Sequence, residues 1–426
     1  MKKFFVLLLA LLMVLSCMTG AVAEEKPTVT IRILLNGNVW GNADDCTKEI
    51  FDAFAAKYAD EVTLIAEPMP SEGQEAQVAK LRIMAQSGDA PGVFGGSVNT
   101  VAPFAEAGIL QDLNTIVDDE WKSMLMDNVE EQYTMNGMLI GVPQQVGVQG
   151  WYYNKALFDQ CGLEIPETFD DLLNCIEVFN ANGIIPIAQS GMDSWSVWGY
   201  QYYFHRFGFL DMVKPILNHE MKFNNEKLLK GFQKLDQLQE AGAFPESMSS
   251  IPYDRAKEMF MSGQAAMFNS GTWESTTFAK SEIAENIEFN FGPTFADGIE
   301  QQKMGVKQVG QGMYACNTKD PLETEWSLKF IKFWAEEEAN AIKFDKLNWV
   351  TGTKHEVDTS SMDVVSQKCY AAAIDDSTPV TLEVSMMFPS SFTNTYWQGV
   401  IGVLNGNMTP EEALNLYDEW NETRTD

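Results

Sequence analysis

The feature that most constrains the fold of this chain is a repeated alternation of short strands with amphipathic helices. Apolar residues at every second position from Val29 to Leu35 are typical of a strand. An apolar stripe with helical spacing predicts a helix over 44–58, and a second short strand is predicted over 62–66. One helix between two strands is the connection that a parallel sheet requires.

The alternation continues along the rest of the chain. A helix is predicted over 75–86 and a strand over 92–96. Thr168 and Thr409 are each predicted to cap a helix, because an acidic residue follows each of them three positions later. Repeated alternation indicates an α/β fold with covered sheets, and 426 residues suffice for two lobes. No flexible linker separates two halves, so the chain is expected to cross between the lobes more than once.

Residues 1–23 are predicted to be a signal peptide. Two lysines precede an apolar run over 4–15, which is shorter than the ~20 residues that a membrane-spanning helix needs. Two processing sites fit this segment: ordinary cleavage after Ala23, and a lipobox in which Cys17 would carry a lipid. Either site predicts an exported protein, extracellular or periplasmic, and the second would anchor it to the membrane surface.

The chain is strongly acidic, with 60 Asp+Glu against 29 Lys+Arg and a net charge of −31. Such a surface repels phosphate backbones and anionic headgroups, which argues against nucleic acid as a partner. It is also typical of a surface that only keeps a protein soluble, so it does not identify a ligand. The 3 His and 6 Cys show no metal-ligand spacing and no Cys-x-x-Cys pair, so neither a metal site nor a cofactor is predicted.

The common enzyme motifs do not occur in this sequence. There is no Gly-x-Ser-x-Gly, no His-Glu-x-x-His and no phosphate-binding loop. Residues 310–315 match the letters of a dinucleotide fingerprint, but turn residues follow them instead of a helix. The better interpretation is a strand in which the glycines let another part of the protein come close to the backbone. Adjacent acidic pairs such as Asp44 and Asp45 suit solvated helix faces rather than the separated carboxylates of a glycosidase. The chain is therefore predicted not to be an enzyme.

Several large aromatic residues lie among Asn, Ser and Gly instead of in apolar runs. They are Trp40, Trp195, Trp198, Trp273, Trp349, Tyr396 and Trp397. A flat ring beside hydrogen-bonding groups suits a sugar, because the C–H faces stack on the ring while the hydroxyls bond to amides and carboxylates. Any single ring could instead fill the edge of a lobe. Five such segments together favour a carbohydrate site.

An ordered series of segments resembles the bacterial extracellular solute-binding proteins of ABC importers, in the sugar-binding group related to maltose-binding protein. The segments are 80–91, 107–113, 141–143, 151–158, 162–169, 260–273 and 404–414. Each motif is short, but their order is specific and covers nearly all of the chain after the signal peptide.

This resemblance implies an α/β, two-lobed periplasmic-binding-protein (Venus flytrap) fold. Each lobe would be a sheet flanked by helices, with multiple crossings between the lobes. The first lobe would use 28–143 and 301–350, and the second lobe 144–300 and 351–426. The resemblance further implies a small-molecule carbohydrate as the ligand, ABC permease subunits as partners, no cofactor and a monomer.

Residues at positions that match the ligand contacts of the family are candidate binding residues. They are Asn38, Trp40, Ser97, Asn99, Gly310 and Gln311 from the first lobe, Gln144 and Gln145 near the first crossing, and Trp198, Trp273, Glu274, Asn394 and Tyr396 from the second lobe. The sequence departs from the family pattern at Gly92, where the group usually has Asp, and this leaves the ligand open. A sensor for a membrane receptor, a secreted glycoside hydrolase and a non-sugar ligand such as a polyamine, peptide or metal chelate remain alternatives.

Overall fold

The structure is a computed structural model that describes residues 28–36, 44–69, 74–308, 311–354, 357–375, 378–384 and 387–424. The strands are β1 (Val29–Asn36), β2 (Val62–Met69), β3 (Val93–Ser97), β4 (Thr134–Met135), β5 (Met138–Leu139), β6 (Val142–Pro143), β7 (Gly147–Asn154), β8 (Ile185–Ala188), β9 (Ala265–Gly271), β10 (Ile287–Asn290), β11 (Gly305–Gln308), β12 (Gln311–Ala315) and β13 (Val380–Leu382).

The α-helices follow the strands along the chain and cover the two larger sheets. They are α1 (Asp44–Lys57), α2 (Gln74–Ser87), α3 (Val98–Glu106), α4 (Asp119–Ser123), α5 (Asp127–Tyr133), α6 (Lys155–Cys161), α7 (Phe169–Ala181), α8 (Tyr202–His205), α9 (Leu210–Leu217), α10 (Glu226–Glu240), α11 (Tyr253–Met261), α12 (Ser275–Phe278), α13 (Pro321–Trp334), α14 (Glu337–Leu347), α15 (Val364–Ile374), α16 (Thr393–Leu404) and α17 (Pro410–Thr423). Among the described residues, none of these helices has the length and apolar character that crossing a bilayer demands.

The first lobe is built on a five-stranded sheet in the order β2–β1–β3–β12–β6. Strand β1 lies between β2 and β3 and is parallel to both, with α1 as the connection to β2. The predicted β1–α1–β2 unit is therefore confirmed. The core beneath α1 is aromatic: Phe54 lies 5.1 Å from Phe330 and 5.2 Å from Phe333, both on α13 (ring centroids).

The second lobe is built on a sheet in the order β13–β11–β7–β9–β8, with β10 also paired to β7. Every residue of the central strand β7 is buried. Trp151 and Tyr153 pack into the main core of this lobe, while Tyr152 packs into a second, smaller core under α11. Both sides of β7 are thus apolar, which is expected for a strand covered on both faces.

The structure corrects the predicted boundary between the lobes near residue 301. Strand β11 pairs with β7 and β13 and therefore belongs to the second sheet. Strand β12, which begins only at Gln311, pairs with β3 and β6 of the first sheet. The chain accordingly returns to the first lobe after Gln308 and not at residue 301.

Both predicted helix caps are present. The side chain of Thr168 accepts the N–H of Asp171, and the carboxylate of Asp171 accepts the N–H of Thr168. Thr409 and Glu412 make the same reciprocal pair at the start of α17. Each pair satisfies two backbone donors that the first helical turn cannot satisfy itself.

Candidate ligand-binding cleft

Connections between the lobes lie side by side in the described part of the chain. One joins β6 to β7 through residues 144–146, and another leaves α14 through residues 348–350 on the way to α15. The backbone N–H of Val146 donates to the carbonyl oxygen of Val350 at 2.7 Å, and the two residues form an isolated antiparallel bridge. The connection from β11 to β12 passes through 309–310, outside the described residues.

Three predicted contact residues lie at neighbouring strand ends of the first lobe. Gln311 at the start of β12 is the register partner of Ser97 at the end of β3. The backbone N–H of Gln144, which follows β6, donates to the carbonyl oxygen of Gln311 at 2.8 Å. The strand order β3–β12–β6 therefore brings Ser97, Gln311 and Gln144 together where the chain leaves for the second lobe.

The second lobe supplies a cluster of four rings, which we call the aromatic cluster: Trp195, Trp198, Tyr253 and Trp273. Trp198 lies 5.1 Å from Trp273 and 5.2 Å from Trp195 (ring centroids). Tyr253 is 5.0 Å from Trp195 and 5.6 Å from Trp198. The three indoles are only partly buried. Two predicted contacts, Trp198 and Trp273, are thus neighbours and remain accessible in part.

The ring of Trp273 packs against two glycines, whose lack of side chains leaves room for the indole. A Cβ atom on Gly271 would lie 2.1 Å from Cζ3 of Trp273, and one on Gly147 would lie 3.2 Å from Cε3. The two residues are on paired strands, since Gly271 of β9 is the partner of Gln149 on β7. The ring therefore sits beside Gly147, which directly follows the first connection with its predicted contacts Gln144 and Gln145.

Glu274 anchors the polar side of the aromatic cluster. Its Oε1 accepts the hydroxyl of Tyr253 at 2.8 Å and lies 3.4 Å from Nζ of Lys257. Burial, followed by the nearby Glu274 charge, raises the pKa of Tyr253 well above its ordinary value, so this hydroxyl keeps its proton. The Glu274 side chain is 7% exposed, and it directly follows Trp273 in the sequence.

The loop over residues 190–200, which carries two of the cluster tryptophans, is held by buried amides. Nε2 of Gln189 donates to the carbonyl oxygens of Ser190 at 2.7 Å and Ser196 at 3.0 Å. Its Oε1 accepts Nδ2 of Asn269 on β9 at 2.5 Å. Because these groups are buried and paired, the loop is fixed against the sheet.

A narrow cleft, partly open to solvent, lies between the connections and the second lobe. It is lined by Gln145, Val146, Thr272, Ser275, Asn348, Trp349, Val350, Cys369 and Tyr370. Amides and hydroxyls thus come together with the partly exposed ring of Trp349 and the buried ring of Tyr370. Trp349 and Tyr370 were not among the predicted contacts. The sequence signal for Trp349 was its position directly after Asn348, which had already set it among the aromatic residues in polar segments.

The structure contradicts the prediction for Tyr396. Its side chain is 2% exposed and packs in the core of the second lobe, with Phe392 at 6.1 Å and Tyr417 at 6.3 Å (ring centroids). The hydroxyl of Tyr417 donates to its backbone carbonyl at 2.6 Å. Tyr396 lines a small apolar pocket of the second lobe and not the cleft.

Other predicted contacts cannot be assigned to the cleft. Asn394 is exposed in the first turn of α16, a helix that packs against α10 and α17. The side chain of Asn99 and all of Asn38, Trp40, Gly310, Cys17 and the predicted signal peptide lie outside the described residues. These remain predictions.

The described residues hold no group of three or more His, Cys, Asp or Glu side chains that could bind a metal ion. Gly312 accounts for the apparent dinucleotide fingerprint, because a Cβ there would lie 2.5 Å from the hydroxyl of Tyr133 and 2.8 Å from the carbonyl oxygen of Val142. The glycine therefore serves close packing of β12 against β6, as the sequence predicted.

Two α/β lobes that meet at a cleft lined with rings, amides and hydroxyls define a solute-binding protein of the two-lobed, periplasmic type. The chain belongs to the bacterial extracellular solute-binding protein family, whose model matches residues 49–368. The predicted family and fold class are confirmed.

Two curated relatives with sugar-binding names are distant in sequence. The "Multiple sugar-binding protein" of Streptococcus mutans is 25% identical over 281 residues, covering 62% of this chain and 63% of that protein. A "Probable sugar-binding periplasmic protein" of Brucella melitensis is 22% identical and covers 82% of each chain.

Solved structures agree on the fold. A protein from a study of xylan utilization by Caldanaerobius polysaccharolyticus has a TM-score of 0.81 at 22% identity, covering 92% of this chain and 99% of that one. A chitin oligosaccharide binding protein has a TM-score of 0.80 at 21% identity, with coverage of 92% and 98%. At this identity the structural likeness establishes the fold alone.

Proposed function

We propose that this protein binds a sugar or short oligosaccharide outside the cytoplasm and delivers it to an ABC importer when its lobes close. The observation that carries the proposal is the aromatic cluster, whose accessible indoles lie beside a carboxylate and next to the cleft. Trp198 and Trp273 are 5.1 Å apart, and Glu274 directly follows Trp273. Ring faces and acceptors in one place are the groups that a polyhydroxylated ligand needs.

The names of the relatives support a carbohydrate ligand. Two curated relatives carry sugar-binding names, and one structural neighbour binds chitin oligosaccharides.

We propose that the protein transports its ligand and does not convert it. Glu274 already accepts the hydroxyl of Tyr253 and lies 3.4 Å from Nζ of Lys257, which supports a role as an acceptor rather than as a catalytic acid.

The proposed mechanism is closure around the ligand. A sugar would stack on Trp273 of the second lobe, while amides at the ends of first-lobe strands, among them Gln144 and Gln311, would replace water around its hydroxyls. Because the ligand touches both lobes only when they are shut, it binds that state better and shifts the population toward it. The permease subunits would then recognise the closed form.

Further parts of the proposal follow from the sequence. Asn38, Trp40, Asn99, Gly310 and Asn394 are proposed as additional contacts. Export through the N-terminal segment, with release or anchoring through a lipidated Cys17, places the protein where such a ligand is met. A single copy is proposed as the working unit.

The ligand can be found by thermal shift, because a molecule that binds only the folded state raises the melting temperature. We expect at least one of maltotriose, xylotriose and triacetylchitotriose to do so. In calorimetry with that sugar, Trp273→Ala should weaken binding at least tenfold, which corresponds to ~1.4 kcal/mol.

The matched control is Trp420→Ala, since Trp420 contacts the C-terminal part of the second lobe and bonds to Ser391. It should leave the affinity unchanged. Unchanged affinity in Trp273→Ala would remove Trp273 from the site. A broad sugar panel without any thermal shift would overturn the carbohydrate ligand itself.

A further inference from the structure

We propose that Tyr152 is a positioning residue that ties the end of β9, on which the Trp273 ring packs, to α15, the helix that packs on both lobes. The inference rests on the proposed function for its consequence in binding, while its structural part can be tested without any ligand. Tyr152 lies on the central strand β7 and is fully buried, so it acts on the cleft only through its neighbours.

The hydroxyl of Tyr152 holds the last residue of β9. It donates to the carbonyl oxygen of Gly271 at 2.8 Å. The Trp273 ring packs directly on this glycine, since a Cβ atom there would lie 2.1 Å from Cζ3 of the indole. Burial raises the pKa of Tyr152 well above its ordinary value, so the hydroxyl keeps the proton that it donates. The backbone under the ring is therefore held by Tyr152 as well as by strand pairing.

The same hydroxyl contacts α15. Its oxygen lies 3.3 Å from Sγ of Cys369. A phenol has one proton, which goes to the carbonyl oxygen of Gly271, so the thiol is the donor in this second contact. Burial raises the pKa of Cys369 to about 12, which keeps that thiol protonated. The bonds thus run in one direction, from Cys369 to Tyr152 and on to Gly271, and the members of such a chain polarise one another.

Helix α15 connects this chain of bonds to the first lobe. Tyr370, which follows Cys369, lies 6.0 Å from Phe344 (ring centroids) and belongs to the first-lobe core. On its other side, α15 packs against residues 272–278, the segment that carries the indole. The helix therefore supports both lobes, and Tyr152 joins it to the end of β9.

The consequence for binding is preorganisation of the stacking surface. If the end of β9 can shift, the indole that packs on it must be ordered when a sugar stacks there, and this ordering reduces affinity. Tyr152 makes the ordering part of folding instead of binding. Its effect on affinity should therefore disappear when the Trp273 ring is removed, which distinguishes positioning from a general effect on the lobe.

The direct test uses the ligand-free protein with 5-fluorotryptophan incorporated, in which the fluorine resonance of Trp273 is assigned by its loss in Trp273→Phe. Tyr152→Phe keeps the ring and removes only the hydroxyl. We expect it to shift or broaden the Trp273 resonance, because the backbone under the indole loses one of its supports. A Trp273 resonance with unchanged shift and line width in Tyr152→Phe would overturn the proposal.

Tyr153→Phe is the matched control. Tyr153 is the next residue of the same strand, so its side chain lies on the opposite face of the sheet. It is 1% exposed, and its hydroxyl donates to Oδ1 of Asn290 on β10 at 2.9 Å. Its loss should lower the melting temperature by a similar amount and leave the Trp273 resonance unchanged. If Tyr153→Phe changed that resonance equally, the effect of Tyr152→Phe would be a general loosening of the lobe and the proposal would fail.

A second variant tests the link to α15. Cys369→Ala removes the thiol donor and should also shift the Trp273 resonance. In the Tyr152→Phe background the same change should cause no further shift, because the route from α15 to Gly271 is already interrupted. Equal shifts in both backgrounds, or none in either, would contradict the link through Tyr152.

Calorimetry then tests the role in binding, with the sugar among maltotriose, xylotriose and triacetylchitotriose that gives the largest thermal shift. Tyr152→Phe should weaken its binding about threefold to tenfold, while Tyr153→Phe should change it less than twofold. In the Trp273→Ala background Tyr152→Phe should cost less than twofold, because the ring that it positions is absent. Additive effects would contradict positioning through Trp273.

The outcomes separate the two proposals. If Trp273→Ala weakens sugar binding and Tyr152→Phe does not, positioning is wrong while the proposed function stands. If no sugar binds, the proposed function fails, and the fluorine spectrum of the ligand-free protein still decides whether Tyr152 holds the backbone under Trp273.

Discussion

Gly147 and Gly271 show how residues without side chains shape this cleft. A methyl group on Gly271 would lie 2.1 Å from the Trp273 ring, so even alanine there must displace the indole. The sequence placed Trp273 in a polar segment and predicted a ligand contact. It could not show that the ring rests partly on Gly147, because strand pairing between β7 and β9 brings that glycine from a distant part of the chain.

Tyr396 is the opposite case at the residue scale. Its neighbours Asn394 and Trp397 suggested a polar loop, yet it lies on α16 with its ring buried. The helical spacing of Phe392, Tyr396 and Val400, which are all buried, was the signal that identifies a core face. Periodicity outweighed local composition, as it does wherever a helix packs on a core.

Lys343 on α14 is a buried cation whose protonation is coupled to folding. Burial lowers its pKa to about 7, while its Nζ donates to the carbonyl oxygen of Trp334 and lies 3.3 Å from Oδ1 of Asn340. Between pH 7 and 10.5 the unfolded chain binds this proton and the folded protein does not, so stability rises with pH there. We expect Lys343→Met to remove up to ~1.4 kcal/mol per pH unit of that rise.

The measurement is urea unfolding at several values between pH 7 and 9.5, taken as the difference between parent and variant. Exposed Lys303 provides the control, because Lys303→Met removes the same charge from the surface. Its free energy of unfolding should stay parallel to that of the parent. Parallel curves for Lys343→Met as well would show that Lys343 remains protonated in the folded protein.

At the scale of elements, the cap of α17 is a discrete contribution to the stability of the second lobe. Thr409 Oγ1 accepts the N–H of Glu412 at 3.2 Å, and Glu412 Oε2 accepts the N–H of Thr409 at 2.8 Å. Losing the threonine oxygen leaves one backbone donor of the first turn without its partner. Thr409→Ala should therefore lower the free energy of unfolding by ~1 kcal/mol in urea denaturation.

Thr423→Ala at the other end of the same helix is the matched substitution. Its hydroxyl donates to the carbonyl oxygen of Glu419, which also serves within the helix, so its loss should cost only a few tenths of a kcal/mol. Equal costs at both ends would mean that the capping pair adds nothing beyond the ordinary effect of replacing threonine by alanine.

Elements were predicted better than their assembly. The strand at Val29, the helix at Asp44 and both caps depend on local patterns, and all are present. The sheet to which β11 belongs could not be predicted from local patterns. Its four residues read as a strand in either lobe, and only pairing with β7 and β13 decides the sheet to which it belongs. Long-range pairing has no local signature in one sequence.

At the scale of the whole molecule, α15 links the two lobes directly. Tyr370 lies 6.0 Å from Phe344 of the first lobe (ring centroids), while Sγ of Cys369 lies 3.3 Å from the hydroxyl of Tyr152 in the second lobe. Both residues also line the cleft. Because α15 packs on both lobes beside the connections, we expect it to move when the angle between the two lobes changes.

Closure is therefore the property of the whole molecule that the proposed function requires. If the sugar selects a shut state, saturating sugar should lower the radius of gyration in small-angle X-ray scattering, because the two lobes approach each other. Trp273→Ala at the same sugar concentration should keep the ligand-free value, since the ligand then contributes too little differential binding to shift the population. A radius of gyration that does not change while calorimetry shows saturation would mean that the sugar binds without closure. The lobes would then be joined rigidly through the bridge of Val146 with Val350 and through α15.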